Sequence, residues 1–341
     1  MSLPPSEIPL GAMRFNSDSS KLEYWNGSAW FQIHTFSPNL GSSTAGVRGL
    51  IGARYSNAYQ NRVDFITIPT QGNGTDFGDD TNGFYGQGGG ASNTRAIYAG
   101  GSNPSTGQSN EMRFATFSST GNFADFGDLT VGRRGCGGVS SQTRFVIGGG
   151  YDGSNTRDTI DFVTIASTGN AVDFGDTVAA TYNLGGVNSP TRGVFCNGSS
   201  PSGDNVLQFI TIASTGNAQD FGDTPTLKAE TFCACSATRG VCMGGVQPSP
   251  EVKTTSIAFF TIATLGNSQN FGDLTTGRQH ACGLGDTIRA VCAGGVGSPS
   301  IDTIDYINIS TGGDATDFGD LTLEGWNGDG GGISNGHGGL G

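Results

Sequence analysis

Apolar positions in this chain come in short runs broken by glycine and small polar residues. Between residues 137 and 176, Gly137-Gly138-Val139-Ser140-Ser141 predicts a short small-residue strand, and Thr143-Arg144-Phe145-Val146-Ile147-Gly148-Gly149 predicts a second. A variable loop leads to Thr159-Ile160-Asp161-Phe162-Val163-Thr164-Ile165, and the turn Ala166-Ser167-Thr168-Gly169 opens a last strand, Asn170 to Asp176. Four short apolar runs bounded by turn residues read as a small antiparallel sheet.

The third strand recurs with one aromatic position: Phe65, Phe114, Phe162, Phe209, Phe259 and Tyr306. Two residues earlier stand Val63, Met112, Ile160, Leu207, Ile257 and Ile304, on the same sheet face because side chains two apart in a strand share a face. The opposite face carries Ile66, Ala115, Val163, Ile210, Phe260 and Ile307. Both faces are apolar, so each sheet is expected to be covered on both sides, which a two-layer sandwich does not do.

The phrase Asp-Phe-Gly-Asp fixes the period. It stands at Asp76–Asp79, Asp125–Asp128, Asp173–Asp176, Asp220–Asp223 and Asp317–Asp320, with Asn270-Phe271-Gly272-Asp273 in the fifth place. Successive copies are 49, 48, 47, 50 and 47 residues apart. A repeat near 50 residues with four strands is the pattern of a β-propeller blade, so the expected fold is all-β, a six-bladed propeller. Phe77, Phe126, Phe174, Phe221, Phe271 and Phe318 are then structural, and loss of one is expected to cost about 3–5 kcal/mol.

The first copy begins at its second strand, Val47 to Gly52, which matches Thr94 to Ala99. Its missing first strand is expected from the far end, where Gly330-Gly331-Gly332-Ile333-Ser334-Asn335 matches Gly88-Gly89-Gly90-Ala91-Ser92-Asn93. Such a clasp removes open edges, so deleting residues 325–341 is expected to destabilise the fold. Glycine pairs close the second strand at Gly100-Gly101, Gly148-Gly149, Gly244-Gly245 and Gly294-Gly295, where small residues would permit close backbone approach at a crowded centre.

Residues 1–36 do not match the repeat. Strand-like runs at Gly11–Asp18, Lys21–Trp25 and Ala29–Ile33, with Asn26-Gly27 between the last two, predict a three-stranded meander. So small a sheet is marginal alone, and its aromatics, Phe15, Tyr24, Trp25, Trp30 and Phe31, are expected to be exposed and to seek a partner. The division expected is a meander at 1–36, a linker at 37–46 and the propeller at 47–341.

Composition narrows the partners. Net charge is −12 with only three lysines among 17 basic residues, a poor match to a phosphate backbone, so no nucleic acid is expected. No run is long and apolar enough to cross a bilayer, and residues 1–10 lack the features of a secretory signal. The seven cysteines, Cys136, Cys196, Cys233, Cys235, Cys242, Cys282 and Cys292, include no Cys-x-x-Cys, and read as small buried side chains.

Asp-Phe-Gly also occurs in protein kinases, but the partner motifs of that chemistry are absent. The aspartates offer oxygen ligands for calcium, yet the ends of turns more often use Asp to accept backbone N–H bonds; Arg133 and Arg278, five residues beyond Asp128 and Asp273, are further candidate partners. His34, His280 and His337 form no ligand pattern. No nucleophile motif is present, and six equivalent carboxylate pairs do not make one glycosidase site, so neither an enzyme nor a cofactor is expected.

Two resemblances add to this reading. An apolar strand ending in paired glycines, then a loop, a strand and an aromatic near the last strand, resembles a kelch repeat over residues 47–341. Gly11-x-x-Arg14-Phe15-Asn16-x-Asp18, Lys21-Leu22-Glu23-x-Trp25 and Asn26-Gly27-x-x-Trp30 resemble a short module of bacteriophage tail-fibre and other virion proteins, and the Ser-Thr-Gly-Asn and Asp-Phe-Gly-Asp phrases are similar to those of marine-phage structural proteins. That resemblance implies a virion protein assembled in the bacterial cytoplasm. Residues 1–36 would join other virion proteins, often as a trimer.

The loops between the second and third strands vary most, and varied loops on a rigid scaffold are where binding sites gather. Tyr55, Tyr59, Tyr151 and Asn155 are the candidate ligand-binding residues. The function expected is a tail fibre or receptor-binding appendage that contacts a host surface glycan without breaking bonds. The alternatives are a purely structural virion part, such as a head decoration or neck fibre, and a propeller-type carbohydrate-active enzyme.

Overall fold

In the computed structural model, residues 8–16, 21–32, 47–52, 54–56, 58–103, 105–199, 203–297, 300–325 and 331–340 are described. They are strands, turns and loops, with one short 3-10 turn at Gly338–Leu340. The chain divides into two compact units, residues 1–42 and 43–341. The linker expected at 37–46 lies outside the described residues.

The first unit holds one antiparallel sheet of Met13–Asn16, Lys21–Trp25 and Trp30–Gln32. Its middle strand brings Glu23 between Arg14 and Asn16, which donate to its two carboxylate oxygens at 2.9 and 3.0 Å. Those bonds hold the Glu23 carboxyl below its ordinary range, with Asn16 the largest contributor. Arg14 lies over the Trp30 ring at 4.2 Å, and Trp30 in turn packs on Trp25 at 5.5 Å. Trp25 is therefore buried, contrary to the expectation from sequence, because its own meander covers it. Phe15, Tyr24 and Phe31 remain exposed.

The second unit contains six four-stranded antiparallel sheets. Their strands are called a to d, in order across each sheet. Sheet I takes Gly332–Ser334 as strand a, followed by Arg48–Ile51, Arg62–Thr67 and Thr75–Asp79. Sheet II is Gly88–Ala91, Arg95–Ala99, Glu111–Thr116 and Ala124–Asp128, and sheet III is Gly137–Ser140, Arg144–Gly148, Thr159–Thr164 and Val172–Asp176. Sheet IV is Gly185–Asn188, Arg192–Cys196, Asp204–Thr211 and Gln219–Lys228. Sheet V is Phe232–Cys235, Arg239–Met243, Ser256–Thr261 and Gln269–Asp273, and sheet VI is Cys282–Gly285, Arg289–Ala293, Thr303–Asn308 and Thr316–Asp320. Two of the variable loops are themselves ribbons, Ser102–Asn103 with Gly107–Gln108 and Val246–Pro248 with Glu251–Lys253.

The contacts between sheets run in a cycle. Each strand a lies beside the strand a of the next sheet, from II to VI, then to I and back to II. The first arginine of every strand b stacks on the aromatic of its own strand c, 4.3 to 4.9 Å from the ring centre. It then donates to a carbonyl of the following sheet: Arg48 to Phe117, Arg95 to Ile165, Arg144 to Ile212, Arg192 to Ile262, Arg239 to Ile309, and Arg289 back to Ile68.

The Asp-Phe-Gly-Asp strand d completes each seam. Its Phe is buried and meets the strand c aromatic edge to face, with ring centres 5.9 to 6.2 Å apart. Strand d bulges at this Phe, which has no partner of its own in strand c, and a side chain on the Gly beside it would come within 2.2 to 2.7 Å of the turn glycine of the next sheet. The last Asp donates its N–H to the residue after that turn glycine, at 3.0 to 3.2 Å: Asp79 to Asn122, Asp128 to Asn170, Asp176 to Asn217, Asp223 to Asn267, Asp273 to Asp314 and Asp320 to Asn73. The repeated phrase is thus a set of contacts to the neighbouring sheet.

Three sequence expectations are corrected. First, the glycine pair of sheet III is Gly149-Gly150, not Gly148-Gly149: both have left-handed φ, as do Gly100-Gly101, while Gly148 ends strand b. The crowding at the centre falls instead on strand a, where a Cβ on Gly138 or Gly186 would meet the carbonyl oxygen of the preceding sheet's strand a at 2.2 or 2.1 Å. Second, the C-terminal strand pairs one residue out of the expected alignment. Gly332 faces Ile51 as Gly89 faces Tyr98, so Ser334 takes the place of Ala91. Third, strand c is not apolar throughout. The residue before its aromatic is buried in every sheet and charged in four, at Asp64, Arg113, Asp161 and Asp305.

Those charges are paired inside the seams. Arg54 binds Asp64 at 2.6 Å, Arg113 binds Asp80 at 3.1 Å, Arg133 binds Asp161 at 3.1 Å and Arg278 binds Asp305 at 2.9 Å, all with no exposed side-chain area. Arg133 and Arg278 therefore pair with strand c and not with the motif aspartates. Thr130, Thr275 and Thr322 donate to the same strand c carboxylates, so the buried oxygens have the partners they need.

Candidate functional site

In sheets I to V, strand d passes to the next strand a across the face that also carries the b–c loops. Six residues beyond the final Asp of the motif, the connection pairs with the following b–c loop: Tyr85 with Ser102, Arg134 with Tyr151, Tyr182 with Ser199, Ala229 with Val246 and Gln279 with Val296. Paired backbone bonds of 2.8 to 3.2 Å fix most of these contacts, so side chains here stand on a rigid rim despite lying in loops.

On sheets I to III the rim is aromatic. Tyr55 and Tyr59 meet edge to face with centres 5.3 Å apart, and Tyr59 lies 5.7 Å from Tyr85. The Arg134 guanidinium sits 5.4 Å from the centres of both Tyr85 and Tyr151, and Tyr151 lies 5.9 Å from Tyr182. The result is a continuous run, Tyr55, Tyr59, Tyr85, Arg134, Tyr151 and Tyr182, each half-buried. Burial, reinforced by the neighbouring tyrosines, pushes the Tyr59 hydroxyl above its ordinary range and keeps it a hydrogen-bond donor.

Beside Tyr151, Asp152 accepts the amides of Ser154 and Asn155 at 2.8 and 2.7 Å and receives the Arg157 side chain. These bonds, that of Asn155 first, hold the Asp152 carboxyl at about 2. Asn155 is exposed at the tip of this loop and outside the ring contacts.

The next residue along each connection is left-handed: Gly86, Gly135, Asn183, Glu230 and His280 have φ between 54 and 70°. Glycine takes that conformation freely, whereas Glu and His do so at a cost of roughly 1 kcal/mol or more. Glu230 accepts from Asn183 at 3.3 Å and pairs with His280 at 3.0 Å. The rim thus has two halves, an aromatic arc and a polar arc of Asn183, Glu230 and His280.

On the opposite face, one cavity is lined by the a strands of all six sheets and by His337. His337 lies 3.0 Å from the Ala91 carbonyl, 3.2 Å from Ser140 Oγ and 3.0 Å from Asn188 Nδ2, while the Gly339 amide donates to its Nδ1 at 3.1 Å. Burial holds its imidazole down at about 4, in keeping with a neutral ring whose Nε2–H faces Ala91.

Of the residues expected from sequence, Tyr55, Tyr59 and Tyr151 lie in one run, joined by Tyr85, Arg134 and Tyr182, which sequence reading missed. A count from the last Asp of each motif would have aligned these three. The motif phenylalanines lie inside the seams, away from the rim. Among the described residues no helix is long and apolar enough to cross a membrane. Neither a protein-family model nor a curated protein matches this sequence.

Proposed function

We propose that the six sheets are the blades of a six-bladed β-propeller and that its loop face binds a host surface polysaccharide as part of a phage tail fibre or receptor-binding appendage. The cyclic arginine-to-carbonyl series supports the architecture. The tyrosine and Arg134 run carries the binding reading. Flat, amphipathic rings pinned on a rigid rim give large contact area at little entropic cost, and their hydroxyls add direction. Sugars present both an apolar C–H face and hydroxyls, which such a surface can meet together. The Glu230–His280 pair offers further hydrogen-bonding groups beside it, in keeping with recognition of a polar ligand. The N-terminal unit, with Phe15, Tyr24 and Phe31 exposed, would supply attachment to other virion proteins and a trimeric assembly.

The test is a glycan array and host-polysaccharide binding with the full chain. Tyr85→Ala and Tyr151→Ala are each expected to weaken binding at least about tenfold with little change in melting temperature. Binding that survives both substitutions, or host adsorption unaffected by them, defeats the reading in favour of a structural virion part. Shortened polysaccharide chains after incubation would instead indicate an enzyme.

A further inference from the structure

Three of the seven cysteines converge at the seam between sheets IV and V. Cys196 ends strand b of sheet IV, while Cys233 and Cys242 face each other across strands a and b of sheet V. The three sulphurs lie within 4.8 Å of one another, and all three side chains are buried. Cys233 Sγ is 3.4 Å from Cys242 Sγ, far beyond the bonded distance of about 2.05 Å. Two of the three depart from what their repeat positions hold elsewhere, whereas Cys242 shares its position with Cys292. Cys233 replaces the glycine found at Gly89, Gly138, Gly186, Gly283 and Gly332, and Cys196 aligns with Ala99, Gly148, Met243 and Ala293.

The charge at this seam is also unusual. Lys228 stands where Arg133 and Arg278 stand in their seams, five residues past the motif, and is buried. Its strand c counterpart is Ala258, where the other two seams supply Asp161 and Asp305. Lys228 donates to the Ser256 hydroxyl and carbonyl; burial pushes its ammonium below the ordinary range, and Cys242, then Cys233, then Asp273 pull the other way. A buried cation needs a buried anion, and the groups able to supply one here are thiols.

We propose that Cys196, Cys233 and Cys242 form a structural site for one thiophilic divalent metal ion of the zinc class, with Lys228 as its buried counter-charge. Sulphurs bound to such an ion at about 2.3 Å lie roughly 3.8–4.0 Å apart, which the observed spacing brackets. Thiolate sets select thiophilic ions over hard ones. Loading replaces three thiol protons by one divalent ion and releases those protons, leaving one net negative charge on the metal–thiolate group, which Lys228 balances. Because the sulphurs are enclosed, the ion must enter as the chain folds.

The experiment refolds the full chain under reductant with Cd(II) as a spectroscopic stand-in for Zn(II), then removes excess metal. The expected result is one cadmium per chain, a sulphur-to-cadmium charge-transfer absorption and a raised melting temperature. Cys196→Ser and Cys233→Ser lose all three, whereas Cys136→Ser and Cys292→Ser keep them. If Cu(I) displaces the cadmium with the same cysteine dependence, the site stands and its charge preference is revised. Should a serine variant fail to fold, the wild type decides. No retained cadmium and no charge-transfer band overturn the proposal. So do five reactive thiols in place of seven after unfolding without reductant, the mark of a Cys233–Cys242 disulfide.

Discussion

At the scale of residues, the seams depend on charges that have no access to water. Asp305 is bound by Arg278 and Thr275, and Arg278 also donates to the carbonyls of Gly294 and Thr303. Removing one partner strands the other, so Arg278→Met is expected to lower stability by about 3–5 kcal/mol, while Arg278→Met with Asp305→Leu recovers most of it. Urea unfolding of the three proteins checks this; equal losses in the single and double variants would contradict it. His337 sets a pH response. Its folded pKa of about 4 lies below the unfolded value of about 6.5, so its contribution is complete above pH 6.5 and falls as pH drops through 4, by roughly 3 kcal/mol in all. Asp204 opposes it. Burial raises its carboxyl to about 6, so its effect lowers stability as pH rises from 4 to 6. The two nearly cancel in that window. Melting of Asp204→Asn should therefore fall steeply between pH 6.5 and 4, and adding His337→Gln should flatten it.

At the scale of elements, the strand d phrase is a joint between sheets. Gly175 has φ 145°, and a Cβ there would lie 2.6 Å from the backbone of Gly216 in the next sheet. Asn217 in that turn accepts the Asp176 amide at 3.1 Å. Gly175→Ala should thus destabilise by more than Asn217→Ala, whose lost hydrogen bond is worth about 1 kcal/mol. Chemical denaturation ranks the two, and the reverse order would refute the account. The repeats made this element legible, since the phrase and its period are written in six copies. They did not reveal its partner, because the asparagine that completes it belongs to the following copy. The one-residue error in aligning Gly332 has the same origin: in a run of glycines, register is set by pairing with Arg48–Ile51, not by side-chain pattern.

At the scale of the whole molecule, the first and last strands of the second unit meet within one sheet. Gly332–Ser334 covers an edge that Arg48–Ile51 would otherwise present to solvent, and the residues after it place His337 and Leu340 in buried positions. Deleting residues 331–341 removes the edge cover, the imidazole and its bonds to three sheets together. The truncated protein is expected to melt well below the intact chain and less cooperatively, in calorimetry or by circular dichroism. Unchanged melting would mean that the closing strand contributes little.

The sequence by itself determined the repeated strands and their periodic apolar faces, because side-chain alternation and turn glycines act locally and were repeated, though not the small ribbons of two loops. It also marked Tyr55, Tyr59 and Tyr151 as belonging to variable loops. Only the tertiary structure decided which of these meet Tyr85, Arg134 and Tyr182, how Arg54 comes to neutralise Asp64, and that Cys196, Cys233 and Cys242 gather around one point near Lys228. Those contacts join residues that are neighbours across seams, and distance through space between separate sheets leaves no trace in local spacing.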